Sequence, residues 1–272
     1  MDSIKIPGNF IIWLKKENFP RNYLMAEKLA KAPLQEVIFD VRWALSPDES
    51  GNQLIDPNFN FALGKFHEDI KAEFPEVVSK FPGGVPHQMM NHQTMYQFWK
   101  DKNTWPVIQL GPGILTVNDT DQNYIWETKY LPLVEQMLQK VSRAYRDLKF
   151  TEFSLRYIDL VRIEDYDSEN WQSFVQNSIN FSFDNKFDTG GKLEQFQFNQ
   201  TFDIKNIGKL HISLASGFDN TNKETFMWQI TVSQKGSLDG SELTHWLKNA
   251  HECASRTFKD ICKKEFYESF CK

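Results

Sequence analysis

Two long runs in this chain alternate hydrophobic and polar positions. Over Gln35–Trp43, the residues Gln35, Val37, Phe39, Val41 and Trp43 fall on one side and Glu36, Ile38, Asp40 and Arg42 on the other. This is the period-two pattern of a strand with one apolar face. Phe150–Ile163 does the same through Phe153, Leu155, Tyr157, Asp159 and Val161. A similar series of elements follows each run. After the first come a polar loop at Ser46–Pro57 and a helix over Phe59–Phe81, with Leu63, Phe66, Ile70, Phe74 and Val78 at helical spacing and a break or kink near Pro75. Strands at Thr94–Lys100 and Trp105–Asn118 are next, the second folded into a hairpin at Gly111-Pro112-Gly113, and then a long helix over Tyr124–Leu148. After the second run come a helix over Glu169–Ile179, strands at Lys192–Ile204, Lys209–Ser216 and Thr225–Gln234, and a closing helix over Ser241–Phe266 with Ser241 as N-cap.

Both series read strand, helix, two or three antiparallel strands, long helix. The fold class this predicts is α+β, with antiparallel sheets, helices packed on one face, and two pseudo-duplicated halves. Residues 1–33 form an N-terminal arm, with a short apolar element at Phe10–Lys16 and a helix at Tyr23–Lys31 stopped by Pro33. Residues 34–149 and 150–272 are the two halves, expected to make one compact unit.

Composition narrows the classes. A chain of 272 residues buries roughly 70–75% of its unfolded surface and needs no covalent staple. Its 23 Phe and 8 Trp exceed ordinary usage and imply extensive ring packing. A net charge of −5 with only seven arginines argues against broad contact with a phosphate backbone, and so against nucleic acid. No stretch approaches the apolar length of a membrane span and no basic leader opens the chain, which points to a soluble cytoplasmic protein. Cys253, Cys262 and Cys271 recur every nine residues. On one helix that spacing spreads them around the axis, so neither a shared metal shell nor a disulfide is expected.

Candidate chemistry is sparse. Arg42 lies on the polar face of the first strand, and Arg156 and Arg162 on one face of its counterpart. Were the two strands neighbours, these three would form a cationic floor for a small anionic ligand held by forked hydrogen bonds; paired with carboxylates, they would instead be a solvated sheet face. His87, Met89, Met90 and His92 sit in the irregular Pro82–His92 segment. There the methionines offer adaptable apolar surface to a protein partner, and the histidines a general acid or base. No zinc spacing occurs, and the glycine clusters lack the Lys and Ser/Thr of a phosphate loop.

Four phrases carry a resemblance: Pro33-Leu34-Gln35-Glu36-Val37, Val107-Ile108-Gln109-Leu110-Gly111-Pro112-Gly113, Tyr124-Ile125-Trp126-Glu127 and Leu155-Arg156-Tyr157-Ile158-Asp159. Across residues 33–265 the chain resembles a sporadically distributed family of uncharacterised prokaryotic proteins. It departs from that pattern at Asp159, where the family's phrase has Asn, and in the N-terminal arm. The resemblance implies a bacterial or archaeal origin, a mobile or defence-associated gene neighbourhood, and no established activity. The function expected is a non-catalytic binding protein without a cofactor: an accessory, sensor or neutralising partner of an effector in a defence or toxin-type system, with its protein partner encoded nearby. The alternative is a small-ligand or nucleotide-binding enzyme that uses the cationic sheet face.

Overall fold

Eleven strands and five α-helices alternate along a computed structural model that describes residues 29–81, 90–120, 124–145, 148–182, 186–187, 190–191, 193–238 and 240–271. In chain order they are β1 (Leu34–Trp43), β2 (Ser46–Pro47), β3 (Leu54–Ile55), α1 (Phe59–Ile70), β4 (Glu76–Ser79), β5 (Tyr96–Trp99), β6 (Val107–Gly111), β7 (Ile114–Asp119) and α2 (Leu131–Ala144). There follow β8 (Phe150–Arg162), α3 (Trp171–Ser178), β9 (Gln197–Ile204), β10 (Gly208–Phe218), β11 (Glu224–Leu238), α4 (Gly240–Ile261) and α5 (Lys264–Ser269). Nine strands form one antiparallel sheet in the order β4-β5-β6-β7-β1-β8-β11-β10-β9, and β2 pairs with β3 in a separate two-stranded sheet. The α+β expectation holds.

β1 and β8 are the centre of this sheet. Phe39 lies opposite Leu155 and Val41 opposite Phe153, so their side chains share one face. Val37, Phe39, Val41, Phe153 and Leu155 are fully buried, and the residues alternating with them line the opposite, polar face. In α4, Leu243, Trp246, Leu247, Ala250, Cys253 and Ala254 recur at three- and four-residue steps and are buried, which gives that helix a continuous stripe to lay on the sheet. Outward from the centre, β7 lies beside β1 and β11 beside β8, so each half sets a late strand next to its first. This is a correspondence of strand order and does not by itself establish a duplicated backbone.

Several boundaries differ from the sequence expectation. Gln35 does not share the face of Val37. The pairing with β8 shifts between Leu34 and Glu36, and this bulge turns Leu34 to the buried face while leaving Gln35 exposed. The first helix is not kinked at Pro75. It stops at Ile70, Phe74 N–H donates back to Ile70 O at 2.8 Å, and Glu76–Ser79 becomes the edge strand β4; Pro holds the preceding residue out of the helical region. The closing helix begins at Gly240, one residue before Ser241, and is two helices. Asn180 Nδ2 donates to the carbonyls of Asp260 and Cys262, each at 3.0 Å, which satisfies the end of α4 before the chain turns into α5. Cys262 therefore sits at the break and Cys271 beyond α5, so the single-helix argument for the thiols does not apply; all three cysteines are free. Leu29–Lys31 is not helical, while the Phe10–Lys16 element and the rest of the Tyr23–Lys31 helix lie outside the described residues.

The β6–β7 turn needs its first glycine because another backbone runs against it. A Cβ on Gly111 would stand 1.8 Å from the carbonyl oxygen of Gln93, and Met95 N–H donates to Leu110 O at 3.0 Å in the same contact.

Candidate functional site

The arginines expected to form a cationic floor do share the polar sheet face, since β1 and β8 are neighbours, but they do not converge. Arg156 and Arg162 are six residues apart on β8, or about 20 Å at strand rise. Arg42 lies opposite Glu152, at the other end of the strand. Arg42 stands 3.7 Å from both Asp40 and Glu152, and Arg162 pairs with Asp219 at 2.8 Å. Burial raises the Asp40 carboxyl, although its hydrogen bond with Ser154 and the charges of Arg42 and Arg156 pull it down. Arg42 and Arg162 are thus held in separate ion pairs, while Arg156 makes no ion pair among the described residues and its Nε is buried without a partner there.

Of the expected partner loop the structure describes Met90, Asn91 and His92. Met90 is buried in the core, and His92 is a half-buried brace of the β6–β7 turn, with Nδ1 3.1 Å from Gly113 O and its N–H donating to Pro112 O at 2.8 Å. Met90 is therefore core rather than surface, and His92 is tied to the turn. His87 and Met89 lie outside the described residues.

The arrangement with chemical character lies on the helical side of the sheet. There a cavity of about 150 Å³ opens between β8, β11, α4 and the segments at either end, with apolar walls from Leu34, Ile125, Trp126, Ile230, Ala254 and Phe258. Two irregularities of the backbone border it. One is the Leu34–Glu36 bulge. The other is the widened π-helical turn Trp126–Tyr130 before α2, in which Lys129 and Tyr130 N–H both donate to Ile125 O at 3.0 Å. Bulges and π-turns recur at functional sites because they re-aim side chains. Here the turn faces Trp126 toward α4.

Within the cavity, Tyr157 from β8 places its hydroxyl 2.8 Å from His251 Nδ1 and 3.0 Å from the Tyr124 hydroxyl. The His251 ring, carried by α4, stacks on Trp126 with centroids 3.9 Å apart and planes 11° apart. Burial lowers His251 to about 4 and raises both tyrosines above their ordinary value, so at neutral pH the three groups form an uncharged hydrogen-bonded row.

Asp159 follows two residues along β8 and faces the same side. It is 4% exposed, lines the cavity, and receives no hydrogen bond from the described residues. No Lys or Arg is among the described residues that line the cavity. Burial alone raises its carboxyl to about 8, because nothing nearby stabilises the charge. Across the ladder, Trp228 is paired in register with Asp159, and its buried indole N–H has no partner among the described residues. A native fold seldom leaves buried polar groups unpaired unless an occupant satisfies them.

Nothing in the spacing of Tyr124, Trp126, Tyr157, Asp159 and His251 marks them as a site, although three of the four phrases behind the resemblance meet here: Pro33 and Leu34, Tyr124–Glu127, and Tyr157 with Asp159. A signal was present. The alternation of the second long strand puts Asp159 in the apolar register between Tyr157 and Val161, and a carboxylate on a buried face is a candidate site residue.

Among the described residues no cluster of His, Cys, Asp or Glu is placed to hold a metal ion, and no helix is long and apolar enough to cross a membrane. No family model, curated protein or solved structure matches this chain.

Proposed function

We propose that this protein is a non-catalytic binding protein, a sensor of a small molecule, and that the cavity between β8 and α4 is its recognition site. The observation that carries this reading is Asp159: a buried carboxyl at the wall of an apolar cavity, left unsatisfied by the surrounding fold. Apolar walls with a few convergent polar groups are what small-molecule sites require. The Tyr124–Tyr157–His251 row supports binding over turnover, since its polar atoms are engaged with one another in uncharged form. The expectation of a protein partner in a defence or toxin-type system rests on the resemblance and supplies only the setting in which such a sensor would act.

The test is thermal unfolding with a panel of small aromatic and aliphatic fragments, on wild type and on Ala254→Leu, which fills the cavity from α4. A fragment at about a hundred times its dissociation constant stabilises the folded state by about 2.7 kcal/mol, or about 5–8 °C for a chain of this length. The reading predicts such shifts for wild type and their loss in a folded Ala254→Leu. Equal shifts in both proteins, or none in wild type, would refute it.

A further inference from the structure

We infer that the ligand of this cavity is a small primary ammonium ion whose charge is set against the Asp159 carboxylate. The inference rests on the proposal that the cavity is a ligand site, and adds the class of ligand. Among the described residues, Asp159 is the buried lining residue that receives no hydrogen bond. Tyr157 already engages both Tyr124 and His251, so the row makes no strong demand on an occupant. A carboxylate offers acceptors only, and an ammonium group offers three donors together with the missing charge.

Charge in the surroundings has a consistent sign. The titratable groups facing Asp159 are Tyr124 from the turn before α2, Tyr157 on its own strand, and His251 and Cys262 from α4 and its end. β1 and β11 contribute Leu34, Trp228 and Ile230, which do not titrate. Exposed Glu127 stands at the rim. Among the described residues that line the cavity there is no Lys or Arg, and the one imidazole, His251, is neutral at neutral pH, so an anion would find no counter-charge among them. Trp126, Tyr157 and Phe258 supply ring surface, which packs against an alkyl chain of either ligand and adds for a cation an electrostatic attraction that a neutral group of the same shape does not receive.

Binding of a cation is then coupled to ionisation of Asp159. Below about pH 8 the carboxyl holds a proton in the empty cavity, and an arriving ammonium ion displaces it to solvent, one proton per ligand. Affinity for the cation therefore rises with pH, approaching tenfold per unit, and levels off above about pH 8. A neutral ligand that accepts a hydrogen bond from the protonated acid shows the opposite trend.

Calorimetric titration of the full chain with n-butylammonium, n-butanol and butyrate, from about pH 6 to about pH 9, in buffers of different ionisation enthalpy, separates these cases. The expected result is that butylammonium binds at least ten times more tightly than butanol at the upper pH, with butyrate weakest. It should release close to one proton at the lower pH, and Asp159→Asn should reduce it to the butanol level. If butanol binds as tightly as butylammonium, or Asp159→Asn leaves the cation's affinity unchanged, the ammonium assignment is wrong while the cavity remains a binding site. If none of the three binds, the proposed function fails with it. A circular-dichroism melt of Asp159→Asn establishes that the variant is folded before its affinity is read.

Discussion

Asp159→Asn should make the ligand-free protein more stable at neutral pH, by an amount that depends on pH in a defined way. The carboxyl ionises near 3.8 in the unfolded chain and near 8 in the folded one. The unfolded state therefore gives up its proton first, and the folded state loses relative stability as pH rises through that window, at about 1.4 kcal/mol per unit. At pH 7 the gap is roughly three units, or about 4 kcal/mol as an upper figure, equivalent to about 8 °C in melting temperature for a chain of this size. His251 acts in the opposite direction. Its value falls from 6.5 to about 4 on folding, so its contribution is intact above pH 6.5 and is lost as pH falls toward 4. Between about pH 4 and 6.5 the two slopes nearly cancel in wild type, and the Asp159 decline shows plainly only from about 6.5 to 8. Asn carries no charge at any pH, and it leaves a polar group in the same place as the protonated acid. Urea unfolding of both proteins across this range should give a difference near zero at about pH 4 that grows steadily to about pH 8 and then levels off. Parallel stability curves for the two proteins would refute the reasoning, because they would mean that Asp159 is ionised, or solvated, in the folded state.

Three other outcomes follow from particular contacts. Tyr157→Phe removes the hydroxyl shared by Tyr124 and His251; it should cost about 1 kcal/mol in urea unfolding, because the two part-buried groups it leaves face the cavity, and an unchanged stability would contradict the row. Met90→Ser should lower stability by about 2 kcal/mol or more, because Met90 is core rather than partner-facing surface; an unchanged melting temperature would contradict its burial. Asn180→Ala should cost about 1 kcal/mol by freeing the carbonyls at the end of α4, with faster amide exchange in α5 as the local sign.

Much of the fold is legible in the chain because it depends on local periodicity. The β1 alternation marks Val37, Phe39, Val41 and Trp43 as core, and all four are buried. The α4 spacing marks the stripe from Leu243 to Ala254. Misreadings arise where a single residue breaks the period. The bulge at Gln35 shifts the register of one end of β1, and past Pro75 an apolar helical spacing continues through Val78 although the backbone has become a strand. Even the polar sheet face is legible: Arg42, Arg156 and Arg162 lie on it as periodicity says. Their separation is not, because residues in the same register still move apart by about 3.3 Å per position. The cavity is hidden for a different reason. Its polar groups come from positions 124, 157, 159 and 251, and only the packing of α4 and the widened turn across β8 brings them together. What the pattern does show is Asp159 in a run of core positions, a local conflict of the kind that functional sites tend to contain.

The central claim is that the β8–α4 cavity holds a small ligand at Asp159. Its most direct test is a crystal of the protein soaked with n-butylammonium and compared with an unsoaked one. New density is expected between Asp159 and Trp126, with the ammonium nitrogen within hydrogen-bond distance of the carboxyl. Density confined to other surfaces, or a cavity closed by the side chains that line it, would mean that Asp159 holds no such ligand.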